Sequence, residues 1–528
     1  MQEHSDELAT SAIGLSESSF PLAIANMTVN DASPVPIYEQ ICRAVRTAIS
    51  AGDLPPGTPL PTSRELADAL KVGRNTVVTA YSRLAAEGYL LTNKRRGTRV
   101  AEDTLGIMPL RREDRAAEAM PAPEPQPAGA LGQWAGASAI EISYRARDAL
   151  EASEPDTAQM APFALNTPDP SLYPRNPLSR LLAEEFCRSP GGGDLQFGMR
   201  KFQTAMAHYL RHMRGVDCEP AQIIPITGLE SALDLTIRVM IDPGHTVYIE
   251  DPASDVVRHC LRSAGAQLVA VPSDSAGADI SRVSGPPPRL IFVSPSANFP
   301  FGQQMSEPRR AAMLDAARNW NAAIFECDVL WELSYTGNRL RAMQGRDKSA
   351  PVFYFGSLNQ TLGPHIRAGY LVVPAKLVDP FTSMAQRVSY GPEPFVLGAL
   401  ATFIEDTDYA VHARTIRGVY AERLKVLIEA VRQHIPDVTI LEPSGGLHLS
   451  VLFNQKINER AVASAASERG LSVTPLSRFY LAGERRSAQS GIVLGFGTLP
   501  ERMIDTMVKR LGEVIAEVRE MKTESLVA

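Results

Sequence analysis

Apolar positions in residues 37–51 (Ile37, Ile41, Val45, Ala48, Ile49) recur at helical spacing and stop at Gly52, which predicts a first helix. A turn-rich stretch, Leu54 to Pro61, follows. Thr62 or Ser63 then offers an N-cap for a short second helix that ends near Leu70. Val77, Val78, Tyr81, Leu84 and Ala85 mark a third helix closing at Gly88. Two short strands, Tyr89 to Thr92 and Thr98 to Val100, flank a loop from Asn93 to Gly97 of hairpin length. Three helices and a basic hairpin make a winged helix-turn-helix. Further along, the apolar runs 246–249, 268–271, 290–293 and 323–325 alternate with amphipathic stretches, the pattern of a parallel α/β sheet. A last segment from about Pro380 is helical and then holds strand-like runs at 447–453 and 492–496, as in a smaller α+β subdomain. The expected organisation is a disordered extension over 1–33, the winged helix over 34–103, a linker over 104–160 and the α/β body over 161–528. Alternate prolines in 120–129 favour an extended spacer, with a helical patch near Ile142 to Leu150.

At 528 residues the chain exceeds one ordinary core, which agrees with this division. Charge sharpens it. Between Pro34 and Ala101 stand ten basic and five acidic residues, a net of +5 in a chain of net −6, so the remainder carries −11. A small basic module on an acidic body points to a polyanionic partner. No apolar run approaches the roughly 18 residues of a membrane span, and the polar amino terminus lacks a secretory pattern, so the cytoplasm is the expected location. The five scattered cysteines suggest neither disulfides nor zinc and read as buried thiols.

In such a winged helix the third helix enters the major groove. Arg74 can then grip guanine, while Asn75 and Thr76 reach bases or phosphates. Arg64 and the wing residues Lys94, Arg95, Arg96 and Gly97 are placed to meet the phosphate backbone. The alternative is solvated surface charge on a protein-binding winged helix. The blocks Pro36–Ile41, Gly52–Gly57, Leu60–Ala67, Arg74–Val77 and Leu84–Tyr89 resemble, in order and spacing, the signature of the GntR family of transcription regulators. That resemblance favours DNA.

The remaining chain resembles the fold-type I aminotransferase domain of the MocR branch of those regulators. The segments that carry it include Asn166–Asp169, Ile226–Leu235, Glu250–Pro252, Ser294–Pro300, Glu326–Asp328, Gly356–Pro364, Ile366–Tyr370 and Gly445–His448. The implied cofactor is pyridoxal phosphate, whose chemistry needs a lysine amine, a carboxylate on the ring nitrogen, a donor to the ring hydroxyl and a phosphate cup. In the family the lysine follows a Gly-Thr-Phe-Ser stretch; here Gly356-Ser357-Leu358-Asn359 is followed by Gln360, whose amide cannot form an imine. Lys348, upstream, does not occupy the motif position. Asp328 keeps the ring carboxylate, but Val329 replaces the ring-hydroxyl tyrosine, and Ser254 ends a motif in which another tyrosine is expected. The anion end persists: Thr227, Gly228 and Leu229 at a helix start, Ser357 and Arg367, with Asn298 among the implied ligand contacts. Arg414, Arg417 and Arg423 read as a solvated or dimer-contact face, and His448 as structural. Val493 stands where the resemblance implies a substrate-carboxylate arginine.

The reading is therefore a non-enzymatic regulator that binds a double-stranded DNA operator. The resemblance implies a homodimer, head-to-tail, with each winged helix over the partner's large domain. No covalent pyridoxal phosphate is expected; pyridoxal or pyridoxamine phosphate held non-covalently, or another anionic effector, fits what remains. The rivals are a working pyridoxal phosphate enzyme with an accessory DNA-binding domain and a ligand-independent regulator controlled by a protein.

Overall fold

The computed structural model describes residues 21, 24, 27, 29–30, 35–86, 88–93, 97–101, 143, 146, 161–188, 197–336, 340–346, 351–388, 390–406, 408–455, 457–481 and 489–527. The chain divides into two units, Met1–Ala139 and Ile140–Ala528.

In the first unit the helices form where spacing and caps place them: α1 (Ile37–Ala51), α2 (Ser63–Leu70) and α3 (Arg74–Ala86). α1 ends at Gly52, whose φ of 84° lets its N–H reach the Ile49 carbonyl. α2 opens on a capping box. Thr62 Oγ1 accepts from the Glu65 N–H at 3.3 Å, and Glu65 Oε2 accepts from the Thr62 N–H at 2.8 Å. Ile41, Val45, Leu66, Val77 and Leu84 then meet in one core. The wing is a hairpin of β1 (Leu90–Asn93) and β2 (Gly97–Val100), with Asn93 opposite Gly97. Lys94, Arg95 and Arg96 lie outside the described residues, as do Lys348 and almost all of 104–160. Five residues of the extension expected to be disordered are described. Ile24 and Met27 are buried in the helical core, and Gln40 holds Asn30 through two hydrogen bonds. These sparse apolar residues show no period of their own and bury because α1 offers them a surface.

The second unit is built on an eight-stranded sheet of β3 (Ile223–Ile226), β4 (Thr246–Asp251), β5 (Gln267–Asp274), β6 (Gly277–Ala278), β7 (Leu290–Val293), β8 (Ala323–Cys327), β9 (Val352–Ser357) and β10 (Gly369–Val372). Their spatial order is β3-β10-β9-β8-β7-β4-β5-β6. The neighbours from β9 to β5 are parallel, as the apolar runs predict, but β10 runs antiparallel to both β9 and β3, and β6 to β5. The sheet is mixed rather than parallel because the short connection from β9 to β10 leaves no room for a full helical crossover. The carboxyl ends of β3, β4, β7, β8 and β9 consequently share one edge, where open α/β sheets bind ligands.

Four helices matter for the site: α4 (Phe197–Arg214), α5 (Leu229–Met240), α6 (Asn359–Leu362) and α7 (Asp408–His434). α7 packs into the core of the smaller subdomain, whose four-stranded antiparallel sheet is β11 (Val438–Leu441), β12 (His448–Phe453), β13 (Thr474–Pro475) and β14 (Gly491–Gly495), in the order β11-β12-β14-β13. On α7 the expected solvated arginine face is corrected at Arg423. That side chain is buried, its Nη2 2.7 Å from Asp169 Oδ2, and it also donates to the Gly497 carbonyl. His448 is fully buried, and burial pulls its pKa down to about 4, which fits a structural role. Of the cysteines, Cys42, Cys218 and Cys327 are buried, whereas Cys187 is exposed. No described helix is long and apolar enough to cross a membrane.

Candidate functional site

On the first unit, Arg64, Arg74 and Asn75 are exposed and Thr76 is half-buried at the start of α3, its N–H bound to the Gly73 carbonyl. Arg74 Nε lies 3.5 Å from Ser63 Oγ, which ties the base of its guanidinium to α2. Tyr81 anchors α3 from inside by donating to the Pro61 carbonyl at 3.0 Å. The capping box of α2 and this tether set the angle between the two helices, and so the direction in which Arg74 and Asn75 project. Gly97, with φ 75°, supplies the left-handed turn that closes the wing.

On the second unit a cleft of about 670 Å³ opens at the carboxyl edge of the sheet. Thr227, Gly228, Leu229, Asp328, Ser357, Gln360 and Arg367 all line it, although they come from four separate stretches of chain. Asn298 does not. It sits behind Ala297 and Phe299, which do, with its Oδ1 taken by the Gln303 N–H and its Nδ2 buried without a partner. The turn it supports consumes its amide oxygen, a bond that spacing could not reveal.

The anion end is built around one residue the sequence reading missed. Asn359 Nδ2 donates to the Thr227 carbonyl at 3.1 Å, its Oδ1 accepts from the Ala368 N–H at 2.8 Å, and its own N–H reaches Ser357 Oγ at 3.2 Å. It therefore holds the α5 approach, Ser357 and the backbone beside Arg367 in one frame. Gly228 is the N-cap of α5 and offers no side chain to its first N–H groups, which leaves them for an acceptor in the cleft. Arg367 is exposed, has no hydrogen bond or ion pair among the described residues, and sits at φ 48°, a left-handed conformation unusual for a side-chain-bearing residue. Such strain often marks a functional position.

At the other end lies Asp328. Its Oδ2 accepts from Arg214 Nε at 2.6 Å and from the Tyr354 hydroxyl at 2.8 Å, while its Oδ1 is buried and unpartnered. It does not cap local backbone through its side chain. Arg214, at the end of α4, also donates to Ser296 Oγ and the Leu340 carbonyl. Burial opposes the Arg214 charge, but the adjacent Asp328 more than offsets it, so the guanidinium stays charged and holds the carboxylate. Nearby, burial pushes the Glu250 carboxyl up to about 8, leaving it largely neutral at pH 7 in the cleft wall. Val329, Ser254 and Ala253 also line the cleft, so the two tyrosine positions of the motif face it without a phenol. Gln360 Oε1 is buried there with no partner.

A winged helix in line with an aminotransferase fold defines a transcription regulator with an aminotransferase-like domain. Residues 37–100 match the family model for bacterial regulatory proteins of the gntR family, and residues 195–510 that for aminotransferase class I and II. The chain is 34% identical over 475 residues to the probable rhizopine catabolism regulatory protein MocR of Rhizobium meliloti, covering 89% of this chain and 92% of that protein. It is 27% identical over 496 residues to the pyridoxine biosynthesis transcriptional regulator PdxR of Corynebacterium glutamicum, covering 94% and 99%. Among solved structures, the multiple substrate aminotransferase of Thermococcus profundus superposes with a TM-score of 0.63 at 21% identity, over 72% of this chain and 97% of that one. The chain belongs to the MocR-type, gntR-family transcription regulators.

The aminotransferase fold normally holds pyridoxal phosphate. Its phosphate fits the unpartnered Arg367, Ser357 and the start of α5, and its ring nitrogen fits the free Oδ1 of Asp328. No lysine is among the described residues lining the cleft, and Gln360 stands there.

Proposed function

We propose that the aminotransferase-like unit of this regulator senses an anionic or phosphorylated small molecule without covalent chemistry, and that α3 and the wing read a double-stranded operator. The observation that supports the sensor most is one cleft that sets Arg367, without a partner among the described residues, together with the start of α5 beside Gln360, at the place where attachment would require a lysine amine. Pyridoxal or pyridoxamine phosphate, bound reversibly, matches both the cup and Asp328. Another phosphorylated metabolite would use the cup alone. On this reading the protein is not an enzyme, since no lysine amine to start aminotransferase chemistry is among the described residues of the cleft, and it acts as a homodimer presenting two winged helices to DNA.

Calorimetric titration of the full-length protein with pyridoxamine phosphate tests the sensor. Binding is expected, and Arg367→Ala should weaken it roughly 10- to 100-fold, the effect of losing a charge-assisted hydrogen bond. No heat from pyridoxamine phosphate, pyridoxal phosphate or a broad panel of phosphorylated metabolites would instead leave the unit a structural scaffold.

The DNA face has its own expectation. Arg74→Ala should cost about 1–3 kcal/mol and relax the preference at one base pair, as for a lost guanine contact. Arg64→Ala and Lys94→Ala should weaken all sequences alike and each lower the salt slope by about 1. Salt-titrated binding measurements check both, and wild-type affinity in all three variants would refute docking through this face.

A further inference from the structure

α3 carries an exposed apolar side chain that the helix does not need. Val77 is buried in the core of the winged helix, whereas its neighbour Val78 is 42% exposed and belongs neither to that core nor to the residues packed against it. Valine is a poor choice for an exposed helix position, since branching at Cβ costs rotamer freedom and the methyl groups meet water. The surrounding exposed positions are polar: Arg74, Asn75, Thr79 and Ser82. Helical geometry puts Val78 one turn beyond Arg74 and Asn75 and one turn before Ser82, on the same face. Thr79 Oγ1 is occupied by the Asn75 carbonyl at 2.8 Å, so the next hydroxyl along is already satisfied within the helix.

We propose that Val78 is a specificity-determining residue that packs against the 5-methyl group of one thymine in the operator. This rests on α3 being the element that enters the major groove. There thymine is distinguished by that methyl, and an apolar side chain is its natural partner. The tethered Arg74 sets the depth of α3, and Val78, further along the helix, meets the next base pairs with no hydrogen-bonding group to offer. It thus favours thymine over cytosine, whose amino group would lose a partner against the valine methyls. The wing and Arg64 contribute charge without this discrimination.

The test uses full-length protein and two random duplex libraries, one containing thymine and one with uracil throughout in its place. The wild type should enrich a motif with a thymine whose preference falls about fourfold in the uracil library, the size expected from one buried methyl. Val78→Ala should show that loss in the thymine library, keep the other positions of the motif, and gain nothing further from uracil. Its melting temperature should match the wild type, because the side chain is outside the core. An unchanged motif for Val78→Ala, or an undiminished uracil effect in that variant, overturns the proposal while leaving DNA binding by α3 intact. If the wild type enriches no motif from either library, the reading of α3 as the operator-reading element fails with it.

Discussion

Mixed with pyridoxal phosphate, the purified protein is expected to develop no Schiff-base absorbance, to yield no phosphopyridoxyl-lysine in the cleft after borohydride reduction, and to show no transaminase activity. The reason is chemical rather than environmental. A lysine with an unfavourable pKa can be tuned by burial or neighbouring charge, but the nitrogen lone pair of Gln360 is delocalised into its carbonyl and cannot attack an aldehyde. Gln360→Lys should restore only weak covalent binding. Val329 and Ser254 leave the ring without its phenol partners. Reversible binding without a covalent bond is compatible with all three negative results, so absorbance and calorimetry should be run on the same preparation. A borohydride-trapped adduct on any lysine of the wild-type cleft would promote the enzyme reading.

Arg214→Ala is expected to destabilise the aminotransferase-like unit by about 3–5 kcal/mol, the cost of leaving one partner of a buried ion pair alone. Asp328 is almost fully buried, and without Arg214 its carboxylate would keep a single strong donor, the Tyr354 hydroxyl. Asp328→Ala should cost a similar amount by stranding the Arg214 guanidinium. The double variant Arg214→Met/Asp328→Leu should be markedly less damaged than the sum of the single variants, because neither charge remains to be solvated. Urea denaturation read by tryptophan fluorescence checks this, since Trp331 lies in the same core. Equal stability of both single variants and the wild type would show that the pair contributes nothing. This pair also bears on ligand binding: it sets the position of the free Oδ1, so a destabilised pair should loosen any ligand that uses the ring-nitrogen contact.

The winged helix was legible almost residue by residue because its determinants are local. Gly52 terminates α1, Thr62 and Glu65 start α2, and the wing closes at Gly97, all within a few residues of the bonds they make. Gln360 could be singled out for the same reason, since it stands inside a contiguous motif, and it lines the cleft. Asp328 and Arg367 were named from such motifs too, and both line the cleft. What no local pattern carried is the set of long-range partnerships. Arg214 and Asp328 are 114 residues apart, and Arg423 and Asp169 are 254 apart. Nothing in the spacing around any of them announces a buried ion pair; each arginine resembles a solvated one until folding puts an acid beside it. The same holds for Asn359, whose three bonds reach Thr227, Ser357 and Ala368, and for the antiparallel β10, whose direction follows from the path of a connection rather than from its apolar residues. Hydrophobic period and capping chemistry act over a turn or a strand, and so can be read along the chain. Ion pairing and strand direction depend on which surfaces meet, and that is settled only when the sheet assembles.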